Sequence, residues 1–225
     1  MVAIGGWIFA AFSAGVLGWL GQPVMMLLPE SVDAKPDAPR YSEIARTPNL
    51  AWGLAAAAAV AALLVATVVP LYLMPAWLLV CGIGAWLAYI DWRAMLLPRR
   101  IVHALTVATS VLVVMEAWLA ADLFLLLRAF GVGAVAYGTF YLIWLVAEKW
   151  RPGSFGYGDV RLVVPLAITL GSVGAGVAFV GLYGAFVLGA VAGLVRGRKS
   201  PSQGFAFGPW MVLGAVLGPV VSAII

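Results

Sequence analysis

Residues 75–97, PAWLLVCGIGAWLAYIDWRAMLL, decide the fold. From Pro75 to Ile90 no residue carries a charge; then Asp91 and Arg93 arrive together. A helix rises about 1.5 Å per residue, so about 20 apolar residues cross the hydrocarbon of a bilayer. Reading outward, comparable runs lie at Ala3–Leu28, Leu50–Leu73, Ile101–Ala120, Leu123–Ala147, Val160–Leu170, Val173–Val195 and Phe205–Ile225. In lipid only helices and closed barrels satisfy every backbone polar group, and these unalternating runs exclude a barrel. The fold expected is an all-α, polytopic transmembrane bundle of about eight spans. Composition agrees: 225 residues are 64% hydrophobic and 10% charged, against about 25% charged in soluble domains. That excludes a water-soluble enzyme, a disordered chain and a disulfide scaffold. The single Cys81 allows neither an intrachain disulfide nor a cysteine-rich metal site. A net charge of +4 makes no case for nucleic acid, because membrane proteins hold a basic excess in their cytoplasmic loops.

Charge asymmetry orients the spans. If they alternate, twelve of the thirteen Lys and Arg residues fall on one face, from Lys35 and Arg40 through Arg93, Arg99 and Arg151 to Lys199. Basic loops stay in the cytoplasm, so both termini are expected outside and four loops inside. The first run has no basic residue before Lys35 and reads as a retained span rather than a cleaved signal. The hydrophilic segment at 29–49 is too short for a core of its own, so residues 1–225 read as one integral membrane domain. Arg128, inside the fifth span, is expected to pair with Glu116 or Asp122. Gly189, Gly193 and Gly197, and Gly214 with Gly218, recur at four-residue intervals that suit close helix packing.

Most acids have ordinary explanations. Glu30, Asp33, Asp37 and Glu43 belong to the first loop, and Glu148 flanks a span end. His103, the only histidine, reads as an interfacial residue. Two acids remain. Asp91 closes the third span and Asp159 opens the sixth, in Phe155-Gly-Tyr-Gly-Asp-Val-Arg161. Topology puts both at one cytoplasmic depth, although 68 residues separate them. An ionisable group there costs several kcal/mol unless compensated, which makes each a functional candidate. Each alone reads equally well as a solvated helix cap; two at one level favour a site. Gly156 and Gly158 have no Cβ to keep an approaching peptide backbone away from Asp159.

These residues resemble the type IV prepilin peptidases, membrane aspartic proteases with a Gly-x-Gly-Asp motif. Asp91 followed by Pro98 resembles the first aspartate motif, which ends Ile-Pro-Asn. Gly156-Tyr-Gly-Asp-Val-Arg161 resembles the second. Phe205-Ala-Phe-Gly-Pro-Trp210 resembles the Pro-Phe-Gly-Pro segment opening the last helix. The resemblance runs from about Trp77 onward. It implies cleavage of a short basic leader from prepilins or pseudopilins at the cytoplasmic face of a bacterial inner membrane. It assigns catalysis to Asp91 and Asp159, and the shaping of the site to Gly156, Tyr157, Gly158, Pro98, Arg161, Gly208 and Pro209. Arg99 stands where the family usually has Asn, and Arg161 where Lys is common. Many bifunctional members bind zinc through two Cys-x-x-Cys pairs in the first loop. Segment 29–49 has no cysteine, so no metal or cofactor is expected and N-methyltransferase activity is left open.

Two carboxyls at one site split their protonation, one ionised and one neutral. Helix dipoles favour the charge on Asp159, at a helix start, over Asp91, at a helix end, by only about 0.3–1 kcal/mol. An inward Arg93 or Arg161 reverses that order. The sixth run is short before Gly171, unless Phe155 and Tyr157 extend it. Other readings are a preflagellin or signal-peptide-peptidase-like protease and, from another class, a small proton-coupled transporter. The sequence lacks the repeated halves common in transporters.

Overall fold

The computed structural model describes residues 2–29, 39–152, 155–199 and 205–225. Among them every regular element is helical. α1 (Val2–Trp19) and α2 (Gly21–Leu27) run on as one apolar stretch, followed by the short α3 (Tyr41–Ala45) and α4 (Leu50–Ala66). A 3-10 turn at Leu71–Leu73 leads into α5 (Met74–Ala94) and α6 (Arg99–Leu119). α7 (Leu123–Trp150), α8 (Tyr157–Val173), α9 (Ala175–Lys199) and α10 (Gly208–Ser222) complete the chain. Among the described residues five helical stretches are long and apolar enough to cross a bilayer: Ile4–Leu27, Leu71–Ala94, Arg99–Leu119, Leu123–Trp150 and Ala175–Val195. α4 and α10 are shorter apolar helices. The protein is an all-helical, multi-pass membrane protein.

Helices pair where small residues let backbones meet. Lipid tails are as apolar as leucine, so packing rather than water exclusion holds helices together in a bilayer. α1 lies along α4, α7 along α8 and α9 along α10, with α5 touching α1, α4, α6, α8 and α10. A Cβ added to Gly18 would stand 2.5 Å from the Leu54 carbonyl oxygen of α4. One added to Gly214 would stand 2.5 Å from the carbonyl of Gly181, and one on Gly218 would stand 2.8 Å from the Gly181 Cα. The expected glycine seam is therefore present at Gly214 and Gly218, with Gly181 as its partner on α9. Gly189 instead seats the Phe207 ring.

Two departures from the sequence reading have clear causes. The run Leu50–Leu73 stops being α-helical at Ala66: the Thr67 hydroxyl donates to the Leu64 carbonyl, and Pro70 supplies no N–H to continue the ladder. The segment 29–49 is not wholly a solvated loop either. Its described part, 39–49, folds α3 against the C-terminal half of α5, burying Tyr41, Ile44 and Ala45 with Met25, Trp86 and Ile90. Gln22 ties this corner together, donating to the Ala45 carbonyl at 2.7 Å and accepting from the Ala51 N–H at 3.1 Å. Glu43 caps α3 by accepting the Arg40 N–H; Glu30, Asp33 and Asp37 lie outside the described residues.

Arg128 also finds a partner other than the one expected. Its guanidinium donates to the carbonyls of Gly171 and Ser172, at 2.8 and 2.6 Å, near the end of α8. Carbonyls in a last helical turn lack intrahelical donors and carry the negative end of the dipole, so a cation there needs no carboxylate. Asp122 instead caps α7, accepting the Leu125 N–H at 2.9 Å, and Glu116 turns toward α5.

Candidate active site

Four helix ends meet at one place. α5 carries Asp91 in its last turn and ends at Met95, whose φ of 54° reverses the chain direction. The connection brings Leu97 against Gly158, where an added Cβ would stand 3.2 Å from that of Leu97. It then places buried Pro98 as the N-cap of α6. α8 opens with Gly156 as N-cap and Asp159 in its first turn. The sixth run is longer than hydropathy alone indicates: α8 starts at Tyr157, takes in Asp159 and continues for 17 residues to Val173.

Both carboxyls are buried, Asp91 at 5% exposure and Asp159 at 7%, and they lie near enough for Asp159 to feel the charge of Asp91. The N–H of Gly208, the first residue of α10, donates to Asp91 Oδ2 at 2.8 Å. No hydrogen bond among the described residues reaches the Asp159 side chain. Gly208 has no room for a side chain: a Cβ there would stand 2.8 Å from Asp91 Oδ2 and 3.2 Å from its Cβ and Cγ. Pro209 follows in the first turn of α10, where its missing N–H costs nothing. Gly156 is different, since its Cβ would meet Asp159 Oδ2 at an ordinary 3.6 Å. The Gly208 hydrogen bond serves a charged Asp91 better than a neutral one, so the dipole argument no longer ranks the two acids.

Tyr157 and Arg161 pair with each other and turn toward α7. The Arg161 guanidinium lies 4.5 Å from the Tyr157 ring centroid, the Tyr157 and Tyr137 hydroxyls are 3.4 Å apart, and Trp144 packs edge-on at 5.0 Å. A second aromatic group was not foreseen from the sequence. Phe140 of α7, Phe155, Phe186 of α9 and Phe207 pack ring on ring at 5.1–6.3 Å, beside the glycines that precede Asp159 and contact Asp91. Their scatter over 68 positions hides the cluster; only the adjacency of Phe155 and Phe207 to Gly156 and Gly208 hints at it.

A model of the type IV leader peptidase family matches residues 77–197, more than half of the chain and the part that carries both aspartates. The chain belongs to that family. This leader peptidase homologue is therefore a membrane peptidase, acting on a protein substrate. Its Phe205–Trp210 segment, which supplies Gly208, lies beyond the matched residues. The chain matches no curated protein and no solved structure.

Proposed function

We propose that this leader peptidase is an aspartic endopeptidase that removes the short basic leader from type IV prepilins or pseudopilins. Asp91 and Asp159 form the dyad, and the reaction takes place at the cytoplasmic face of a bacterial inner membrane. The full topology is one domain of eight spans with both termini outside. The observation that carries this reading is the meeting of two buried carboxyls, from the end of α5 and the start of α8, inside the matched region.

Peptide hydrolysis at such a pair needs one acid neutral and one ionised. The neutral acid hydrogen-bonds to the scissile carbonyl while the carboxylate takes a proton from water, whose oxygen attacks the carbonyl carbon. The tetrahedral intermediate then collapses: the C–N bond breaks and the departing amine takes a proton from the dyad. The Gly208 N–H holds Asp91 in place throughout. Gly156 leaves the α8 entrance open to an extended substrate backbone, whereas the space beside Gly158 is taken by Leu97 rather than left for substrate. Where the protons reside is a property of the pair, and the dyad should give a bell-shaped pH–rate profile.

The test is direct. Purified protein in detergent is incubated with a prepilin and leader loss is followed by mass spectrometry. Wild type should release the leader, whereas Asp91→Asn and Asp159→Asn should leave the substrate whole. Full cleavage by either variant refutes the dyad.

A further inference from the structure

α7 and α9 diverge. α7 packs along α8 and α9 along α10, and between them lies an apolar groove of about 750 Å³. It extends along α7 from Phe124 to Phe140, seventeen residues with a rise of about 24 Å. Arg128 is its one charged lining residue, and that guanidinium is engaged by the carbonyls of Gly171 and Ser172. The opposite end is closed by Phe140 and Phe186, which pack on Phe155 and Phe207, the chain neighbours of Gly156 and of the Gly208 that contacts Asp91. The groove therefore has a direction, from the outer end of α8 to the lip of the site.

Its shape suits a helix. Half of a cylinder about 10 Å across and about 24 Å long encloses about 900 Å³, close to the space present. Ala136 and Ala178 form part of the floor, and a Cβ added to Gly131 would meet nothing within 4 Å. Small residues on a lipid-facing surface permit the close backbone approach by which helices associate in a bilayer. Val135 and Phe179, 71% and 69% exposed, stand at the rim.

We infer that this groove receives the apolar membrane helix of the peptidase's substrate, antiparallel to α7 with its N-terminus at the dyad. The inference rests on the leader-peptidase reading and adds where the uncleaved part of the substrate lies. Docking there presents the bond just before the helix to Asp91 and Asp159, and the four phenylalanines separate helix from cleavage point.

Two substrates in phosphatidylethanolamine–phosphatidylglycerol vesicles separate the possibilities: an intact prepilin, and a peptide of its leader with only the first helical turn beyond the cut. Gly131→Trp and Val135→Trp fill the groove from open positions. Each should raise KM for the intact prepilin at least about tenfold, with kcat and short-peptide cleavage within about twofold of wild type. Val107→Trp, exposed on α6 away from the groove, is the control and should change neither. In an Asp91→Asn background, a photo-cross-linker at Val135 should capture the substrate helix, and one at Leu127 should capture it about eight residues further toward its C-terminus. Unchanged prepilin kinetics in both Trp variants, or adducts to lipid alone, overturns the docking inference. A wild type that cuts neither substrate overturns the catalytic reading instead.

Discussion

Asp91 and Glu116 are both buried carboxyls in apolar helices, and each accepts one backbone N–H from the first turn of another helix. Glu116 Oε1 takes the Ala76 N–H of α5 at 3.2 Å, and its Oε2 is buried without a partner among the described residues. Asp91 Oδ2 takes the Gly208 N–H of α10 at 2.8 Å. What differs is the company each keeps. Both satisfy an orphan N–H at a helix start, but Asp91 also has a second carboxyl, Asp159, within electrostatic reach. Burial and one hydrogen bond are thus common to both; on the proposed reading, the second acid within electrostatic reach is what assigns chemistry to Asp91 and architecture to Glu116.

The largest expected effect separates the two directly. Asp91→Asn or Asp159→Asn should lower kcat at least about 10³-fold with the fold retained, since groups acting as a unit fail together. Glu116→Gln should leave kcat within about twofold of wild type in the same prepilin assay. If Glu116→Gln proves as inactive as Asp91→Asn, the contrast is wrong. The pH profile sharpens the comparison further: activity should fall in acid, when both dyad members are protonated, and in alkali, when both are ionised. Glu116→Gln should leave both limbs where they are.

Next comes the group that holds Asp91. Gly208→Ala forces a methyl against the carboxyl and should cost about 10²-fold in kcat, the scale of a roughly 1 Å displacement of a catalytic group. Gly156→Ala meets only ordinary contact, so any loss above about threefold in kcat/KM reports on substrate approach rather than on a displaced Asp159. The smallest expected effect is on stability. Glu116→Ala strands the Ala76 N–H and should destabilise the protein by about 1–3 kcal/mol, read as a lower thermal midpoint in detergent with kcat retained.

Legibility followed the range of the forces involved. The helical runs were plain because a bilayer demands long uncharged segments, and all seven of the longer runs contain a helix. Their ends were less plain. Asp159 concealed the start of α8 because hydropathy discounts charge, although the helix begins two residues earlier at Tyr157. Both aspartates were singled out by the depth expected of them and by the residues that flank them. The partner of Arg128 was not: a carbonyl acceptor leaves no mark on side-chain composition, so carboxylates drew the attention. The folding of α3 onto α5 was missed for a related reason, since three buried residues in five are too few to stand out in a hydrophilic segment.

The amino-acid sequence alone determined an all-helical membrane chain and singled out two acids at the ends of apolar runs, because solvation by lipid acts on each segment separately. Which N–H reaches Asp91, which rings gather beside it, and the gap between α7 and α9 were decided only by tertiary packing. Those features depend on how side chains from helices distant in the sequence fit together, and no local pattern encodes that fit.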